Sequence, residues 1–175
     1  MGFDMMASVY RRNKETQKYE KMAFYDKDGN MLQDMFPSRD NMLNQLLVGH
    51  NRYGFDFEDI GAHRGLPNWY VDILKEEHPD WFDGSDGWFY NVDEGTYYDY
   101  LELHGWAQGD ACMFDDWQAD PLSVEFDKDG EVISEVAPKR NPLKSFMQQV
   151  DMYLNAYGIY RPKPGEIIIV CEMSY

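Results

Sequence analysis

Apolar residues recur along this chain at two spacings, and each spacing marks a different kind of element. Residues 3–12 and 18–25 show partial alternation of apolar and polar side chains, the period of a strand, with a turn at 13–16 between them. The Asp28-Gly29 pair inside 26–30 is a strong hairpin signal and leads into a third short strand at 31–35. In 38–48 the period lengthens: Met42, Leu43, Leu46 and Leu47 form one stripe, Ser38 is a capping residue and Gly49 a stop, so a helix is expected. A glycine-containing loop follows at 50–66. A second helix, 68–78, lies between Pro67 and Pro79 and turns Trp69, Ile73, Tyr70 and Leu74 inward. Residues 80–87 read as a tight acidic loop and 88–92 as a short strand. Asp93 is placed to cap a helix over 94–103 that buries Tyr97, Tyr98 and Leu101. A strand is expected within 111–117, and a hairpin of 122–126 with 131–136 around the turn 127–130.

The clearest periodicity comes last. Asn141 caps, Pro142 takes the first helical position, and Leu143, Phe146, Met147, Val150, Tyr153, Leu154 and Tyr157 recur at helical spacing until Gly158. Pro162 and Pro164 straighten the chain into a β-branched, apolar run at 166–173, suited to the centre of a sheet. Strands and helices interleave without a strict βαβ rhythm. The expected class is therefore α+β: a mixed, mostly antiparallel sheet with three to four helices. The length of 175 residues suits a single domain over 1–175.

Composition changes this picture in one respect. The chain carries 32 acidic and 16 basic residues, and the excess is confined to 76–135. That segment holds 18 acids and one base, Lys128, whereas the other 115 residues hold 14 acids and 15 bases. All five tryptophans fall between positions 69 and 117. An acidic segment so rich in large rings is expected to fold, with rings inward and carboxylates outward, rather than to trail as a solvated tail. The acid excess argues against direct contact with nucleic acid, itself a polyanion. No apolar run approaches the roughly 18–20 residues of a membrane span. Residues 1–10 lack a basic start followed by an apolar stretch, so no secretion signal is expected. Two cysteines, Cys112 and Cys171, suit a reducing cytoplasm.

Motifs for chemistry are sparse. Asp26, Asp28 and Asn30 have the one-three-five spacing of a calcium loop, but Met31 and Pro37 stand where such a loop needs glycine and a bidentate glutamate. His63, His78 and His104 with Asp115 and Asp116 are a set that folding can bring together as a metal or acid–base site. Cys112 sits among acids and Cys171 in an apolar run, neither a setting for a reactive thiolate. Neither a nucleophile elbow nor a phosphate-binding loop is present. No catalytic residue, cofactor or metal is assigned, and the balance leans away from an enzyme. What remains is the acidic surface: Asp80, Asp83, Asp86, Asp93, Glu94, Asp99, Glu102, Asp110, Asp115, Asp116 and Asp120. Carboxylates displayed on a scaffold can stand in for phosphates and compete for a Lys/Arg groove. Aromatic neighbours add contact energy and stacking partners for arginine.

Four short stretches carry a resemblance. They are Met1-Gly2-Phe3-Asp4-Met5, Arg39-Asp40-Asn41-Met42-Leu43, Arg64-Gly65-Leu66-Pro67 and Ser85-Asp86-Gly87-Trp88-Phe89. Together they resemble motifs of a group of small proteins encoded by phages and mobile elements, over roughly the first half of the chain. The chain departs from the group at Gly84-Ser85, where the group shows His-Ser, and no correspondence continues after Gly105. The resemblance implies an origin, a phage-type accessory protein acting in a bacterial cytoplasm, and brings no catalytic residue with it. Joined to the charge map, it favours an inhibitor that occupies the basic nucleic-acid-binding surface of a host defence protein, a CRISPR effector or a restriction enzyme. Two alternatives stay open: a metal-dependent nuclease or phosphohydrolase using clustered Asp and His, and a regulatory binding protein whose acids only solubilise it.

Overall fold

The computed structural model describes residues 4–31, 41–48, 64–85, 87, 90, 95–108, 114–115, 128–129, 139–140 and 142–174. Its centre is the β-branched run near the C-terminus. That run forms β6 (Ile167–Ser174), paired with β1 (Asp4–Arg12) on one side and β3 (Gly95–Asp99) on the other. β2 (Tyr19–Lys21) completes a four-stranded sheet in the order β2-β1-β6-β3, every pair antiparallel. The register sets Val9 opposite Ile169 and Ile169 opposite Tyr98. Residues 167–171 are all buried. A continuous apolar strand is what a sheet covered on both faces requires.

Helices supply both covers. On one face Met5, Val9, Tyr98, Ile167, Ile169 and Cys171 pack with α1 (Asn41–Val48), α4 (Tyr100–Gln108) and α5 (Pro142–Ala156). Leu43, Leu46 and Leu47 of α1, Leu103 and Ala107 of α4, and Leu143, Phe146, Met147, Val150 and Leu154 of α5 fill that core. The Tyr98 hydroxyl donates to the Leu47 carbonyl and the Tyr100 hydroxyl to Asp151, tying β3 to α1 and α4 to α5. On the other face Tyr10, Ile168 and Val170 meet Leu66, Tyr70 and Leu74, which lie in or just before α2 (Asn68–Glu77). A single turn, α3 (Asp80–Asp83), continues α2 after Pro79. A two-residue ladder joins β4 (Phe114–Asp115) to β5 (Lys139–Arg140). The fold is α+β, and among the described residues no helix is long and apolar enough to cross a membrane.

Most expected elements stand where the periodicity puts them. The 13–16 turn is closed by Asn13, whose side-chain oxygen accepts the Glu15 and Thr16 amides at 2.8 and 3.1 Å. The end of α5 follows its glycine: Gly158 has φ +75°, and the Ile159 amide returns to the Leu154 carbonyl at 3.0 Å.

Several readings are corrected. Residues 94–103 are not one helix: 95–99 form β3, and α4 starts only at Tyr100. Tyr97, Tyr98 and Leu101 mimic helical spacing, but Thr-Tyr-Tyr is also good strand sequence, and the open side of β6 decides between them. The cap moves accordingly: Asp99 accepts the Leu101 amide at 2.9 Å. Leu101 is exposed instead of buried. Regular pairing of the second strand spans only Tyr19–Lys21, with a further bridge from Tyr25 to Met31. The 80–87 loop begins with the turn of α3, which brings the described helices to five, one more than the sequence reading allowed. Within α2, Tyr70 and Leu74 are the buried positions, while Trp69 and Ile73 are half-buried. The Ser38 cap, the loop before Arg64, the strand at 88–92 apart from Tyr90, and both arms of the 122–136 hairpin lie outside the described residues.

Candidate functional site

The described part of the acidic surface is built on α2 and α3. Pro67 starts α2 by offering its carbonyl to the Tyr70 and Val71 amides at 3.0 and 3.1 Å. His78 closes α2 with its amide 2.7 Å from the Leu74 carbonyl, and Pro79 redirects the chain into α3. Tyr70 and Leu74 face the sheet. Asp72, Glu76, Glu77, Asp80 and Asp83 stand exposed. The Asp83 carboxylate accepts the Ser85 amide at 2.8 Å, which holds its pKa below the ordinary value and keeps it anionic.

The rings of the same segment are stacked. His78 lies flat on Trp81, centroids 3.8 Å apart and planes within 7°. Trp81 stacks on Tyr90 at 5.7 Å, and Phe82 leans on Tyr90 at the same distance. The Lys75 ammonium sits 5.6 Å above the Phe82 ring, a cation–π contact within the acidic face. Trp81 and Phe82 are half-buried.

The stack is pinned to the sheet through Glu172. Tyr90 donates its hydroxyl to Glu172, Tyr70 hydrogen-bonds the same carboxylate, and Tyr10 hydrogen-bonds Tyr70. Burial first, then the Glu172 charge, drives the Tyr10 and Tyr70 pKa values far up. These hydroxyls therefore stay protonated; Tyr70 and Tyr90 bond the Glu172 carboxylate, and Tyr10 bonds Tyr70, holding α2 over β1 and β6. Hydrophobic patterning along the chain does not reveal this network. Its one sequence signal is Glu172 itself, a carboxylate two positions after Val170 on the strand face that also carries Ile168.

Of the eleven acids singled out, Asp80 and Asp83 share the α3 turn and face solvent. Two others are engaged by other segments of the fold. Asp99 caps α4 and also accepts the Gly165 amide at 2.6 Å. Glu102 takes the Arg64 guanidinium on both oxygens, one of them at 2.9 Å. Asp115 lies in β4 opposite Lys139. Asp86, Asp93, Glu94, Asp110, Asp116 and Asp120 lie outside the described residues.

The histidine constellation does not come together where it is described. His78 rests on Trp81 in the α2–α3 layer, and His104 beside Tyr100 on α4, across the sheet. His50, His63 and Asp116 lie outside the described residues. Among the described residues no three His, Cys, Asp or Glu side chains gather as a metal site. The calcium-like spacing at 26–30 is a closed turn. The Asp26 carboxylate accepts the Asp28 and Asn30 amides, both at 2.9 Å, and the Asn30 side chain at 3.3 Å. These bonds, led by the Asn30 amide, lower its pKa. Cys171 is fully buried, and burial with Glu172 beside it pushes its thiol up to about 12, far from a reactive thiolate.

Comparison of the chain with protein-family models, with curated proteins and with solved structures finds no match.

Proposed function

We propose that this chain is a phage-type accessory inhibitor that acts in the cytoplasm of a bacterial host. In this reading it occupies the basic nucleic-acid-binding surface of a defence protein, a CRISPR effector or a restriction enzyme, with carboxylates in place of phosphates. The observation that carries the reading is the segregation of charge: 18 acids against one base over 76–135, in a chain otherwise balanced. Exposure of Glu76, Glu77, Asp80 and Asp83 on the segment of stacked rings supports it. These acids stand on a segment whose rings are packed together, and a preorganised surface loses less entropy on docking. The surface acts by attraction to Lys and Arg, so its grip weakens with salt as a polyelectrolyte contact does.

The test is displacement of a fluorescent duplex from a panel of purified RNA-guided effectors and restriction endonucleases. The wild-type chain is expected to displace the duplex from at least one of them at low salt, less well as salt rises. A variant with Asp80, Asp83, Asp86, Asp115 and Asp116 changed to Asn is expected to lose at least about tenfold in potency, several charge-assisted contacts being removed together. Equal potency of that variant overturns the reading, as does failure of the wild type against the whole panel.

A further inference from the structure

The layer over the sheet also contains a run of oxidisable rings that starts at a solvent-accessible indole. Trp81, half-buried on α3, stacks on Tyr90 with ring centres 5.7 Å apart and planes 12° from parallel. Tyr90 donates its hydroxyl to Glu172, and Tyr70, buried on α2, hydrogen-bonds the same carboxylate. An ionised carboxylate only accepts, so both phenols donate to it. One base is thus shared by two tyrosines, and one of these touches a tryptophan.

That arrangement has the two parts that one-electron oxidation of tyrosine needs. Stacked rings pass the electron over a short distance, and a base within hydrogen-bond reach takes the phenolic proton. A phenol whose proton leaves with the electron is easier to oxidise than an indole at neutral pH. An electron vacancy on Trp81 therefore runs downhill to Tyr90. Burial first, then the Glu172 charge, keeps the Tyr70 hydroxyl protonated. Tyr70 accordingly yields an electron only together with its proton, and Glu172 is placed to receive that proton.

We infer that Trp81, Tyr90, Glu172 and Tyr70 form an oxidation relay that moves an electron vacancy from α3 to the tyrosine pair on the sheet. A one-electron oxidant, such as the azidyl radical, takes an electron from Trp81, and the indole N–H proton leaves to water. Tyr90 then gives an electron to Trp81, which regains its proton from water, while the Tyr90 hydroxyl proton passes to Glu172. Tyr70 in turn gives an electron to Tyr90. As it does so, Glu172 returns its proton to Tyr90 and accepts the one from Tyr70. In sum, one electron has gone to the oxidant, the vacancy rests on the Tyr70–Tyr90 pair and Glu172 is protonated. Sharing one carboxylate lets the last exchange proceed without a proton from solvent. This inference is independent of what the acidic face binds.

Pulse radiolysis tests it, with the azidyl radical as oxidant and the indolyl and tyrosyl radicals read by their separate absorption bands. In the wild type the indolyl band is expected to convert to the tyrosyl band in a first-order step whose rate does not change with protein concentration. Tyr90→Phe keeps a ring in the stack but has no hydroxyl, and is expected to lose the fastest phase of that conversion. Trp81→Phe removes the starting point and is expected to lose the same phase, which keeps the test decisive should Tyr90→Phe fail to fold. Glu172→Gln cannot take up a proton, and is expected to slow the phase by about tenfold or more. Absence of a concentration-independent conversion in the wild type overturns the proposal. So does a folded Tyr90→Phe or Trp81→Phe variant that converts with the wild-type rate and amplitude. A wild-type rate in Glu172→Gln overturns the part given to the carboxylate.

Discussion

Glu172 shows how one side chain decides where a layer sits. It is a carboxylate on the sheet face that carries Tyr10, Ile168 and Val170, and it draws in the hydroxyls of Tyr70 and Tyr90. Glu172→Leu leaves both hydroxyls without their acceptor at a partly dehydrated position. The expected cost is about 1–3 kcal/mol. Adding Tyr70→Phe and Tyr90→Phe removes the orphaned donors, and most of that loss is expected to return. Urea unfolding with an unchanged denaturant slope reads both steps. A single variant as stable as the wild type would show that the carboxylate is idle. Gly95 is a second such position. A Cβ there would lie 2.6 Å from Leu66 Cδ2 and 3.0 Å from the Cys171 carbonyl, so the first residue of β3 has no room for a side chain.

Among the elements, β3 and α4 meet at Asp99. Its one carboxylate caps α4 through the Leu101 amide and holds the turn before β6 through the Gly165 amide. Asp99→Ala removes both acceptors, and a cap alone contributes about 0.5–2 kcal/mol. A loss of about 1–2 kcal/mol is expected in chemical denaturation, with Asp99→Asn recovering part of it, since Asn also caps. An unchanged midpoint for Asp99→Ala would mean that solvent replaces both bonds at no cost. The same junction explains why the pattern misleads at 94–103. Tyr97, Tyr98 and Leu101 fit one face of a helix as well as they fit a strand followed by a helix. Propensity did not separate the two readings; pairing with β6 did.

For the molecule as a whole, the charge is the governing quantity. With a net −16, the folded chain repels itself, and the exposed acids of α2 and α3 concentrate that repulsion. Raising NaCl from about 0.1 M to about 1 M cuts the screening length to about 3 Å and is expected to raise the midpoint of thermal unfolding. A midpoint that falls with salt would mean that ion pairs such as Arg64–Glu102 and Arg11–Glu166 outweigh the repulsion.

The chain's own pattern determined the α+β class, α5 with its buried stripe, the central place of the last strand, the 13–16 turn and the confinement of charge to one segment. Each rests on local periodicity or composition, which neighbours in sequence are enough to display. Only tertiary structure decided the remainder. Asp99 and Glu102 read as members of an acidic surface, yet Gly165, 66 residues along the chain, and Arg64, 38 residues away, take them up. Glu172 finds Tyr90 across 82 residues. The split of 94–103 into strand and helix depends on an edge that exists only once β6 is in place. Such contacts join positions with no periodic relation, so a carboxylate spent on the fold and one left for a partner look alike until the chain is closed.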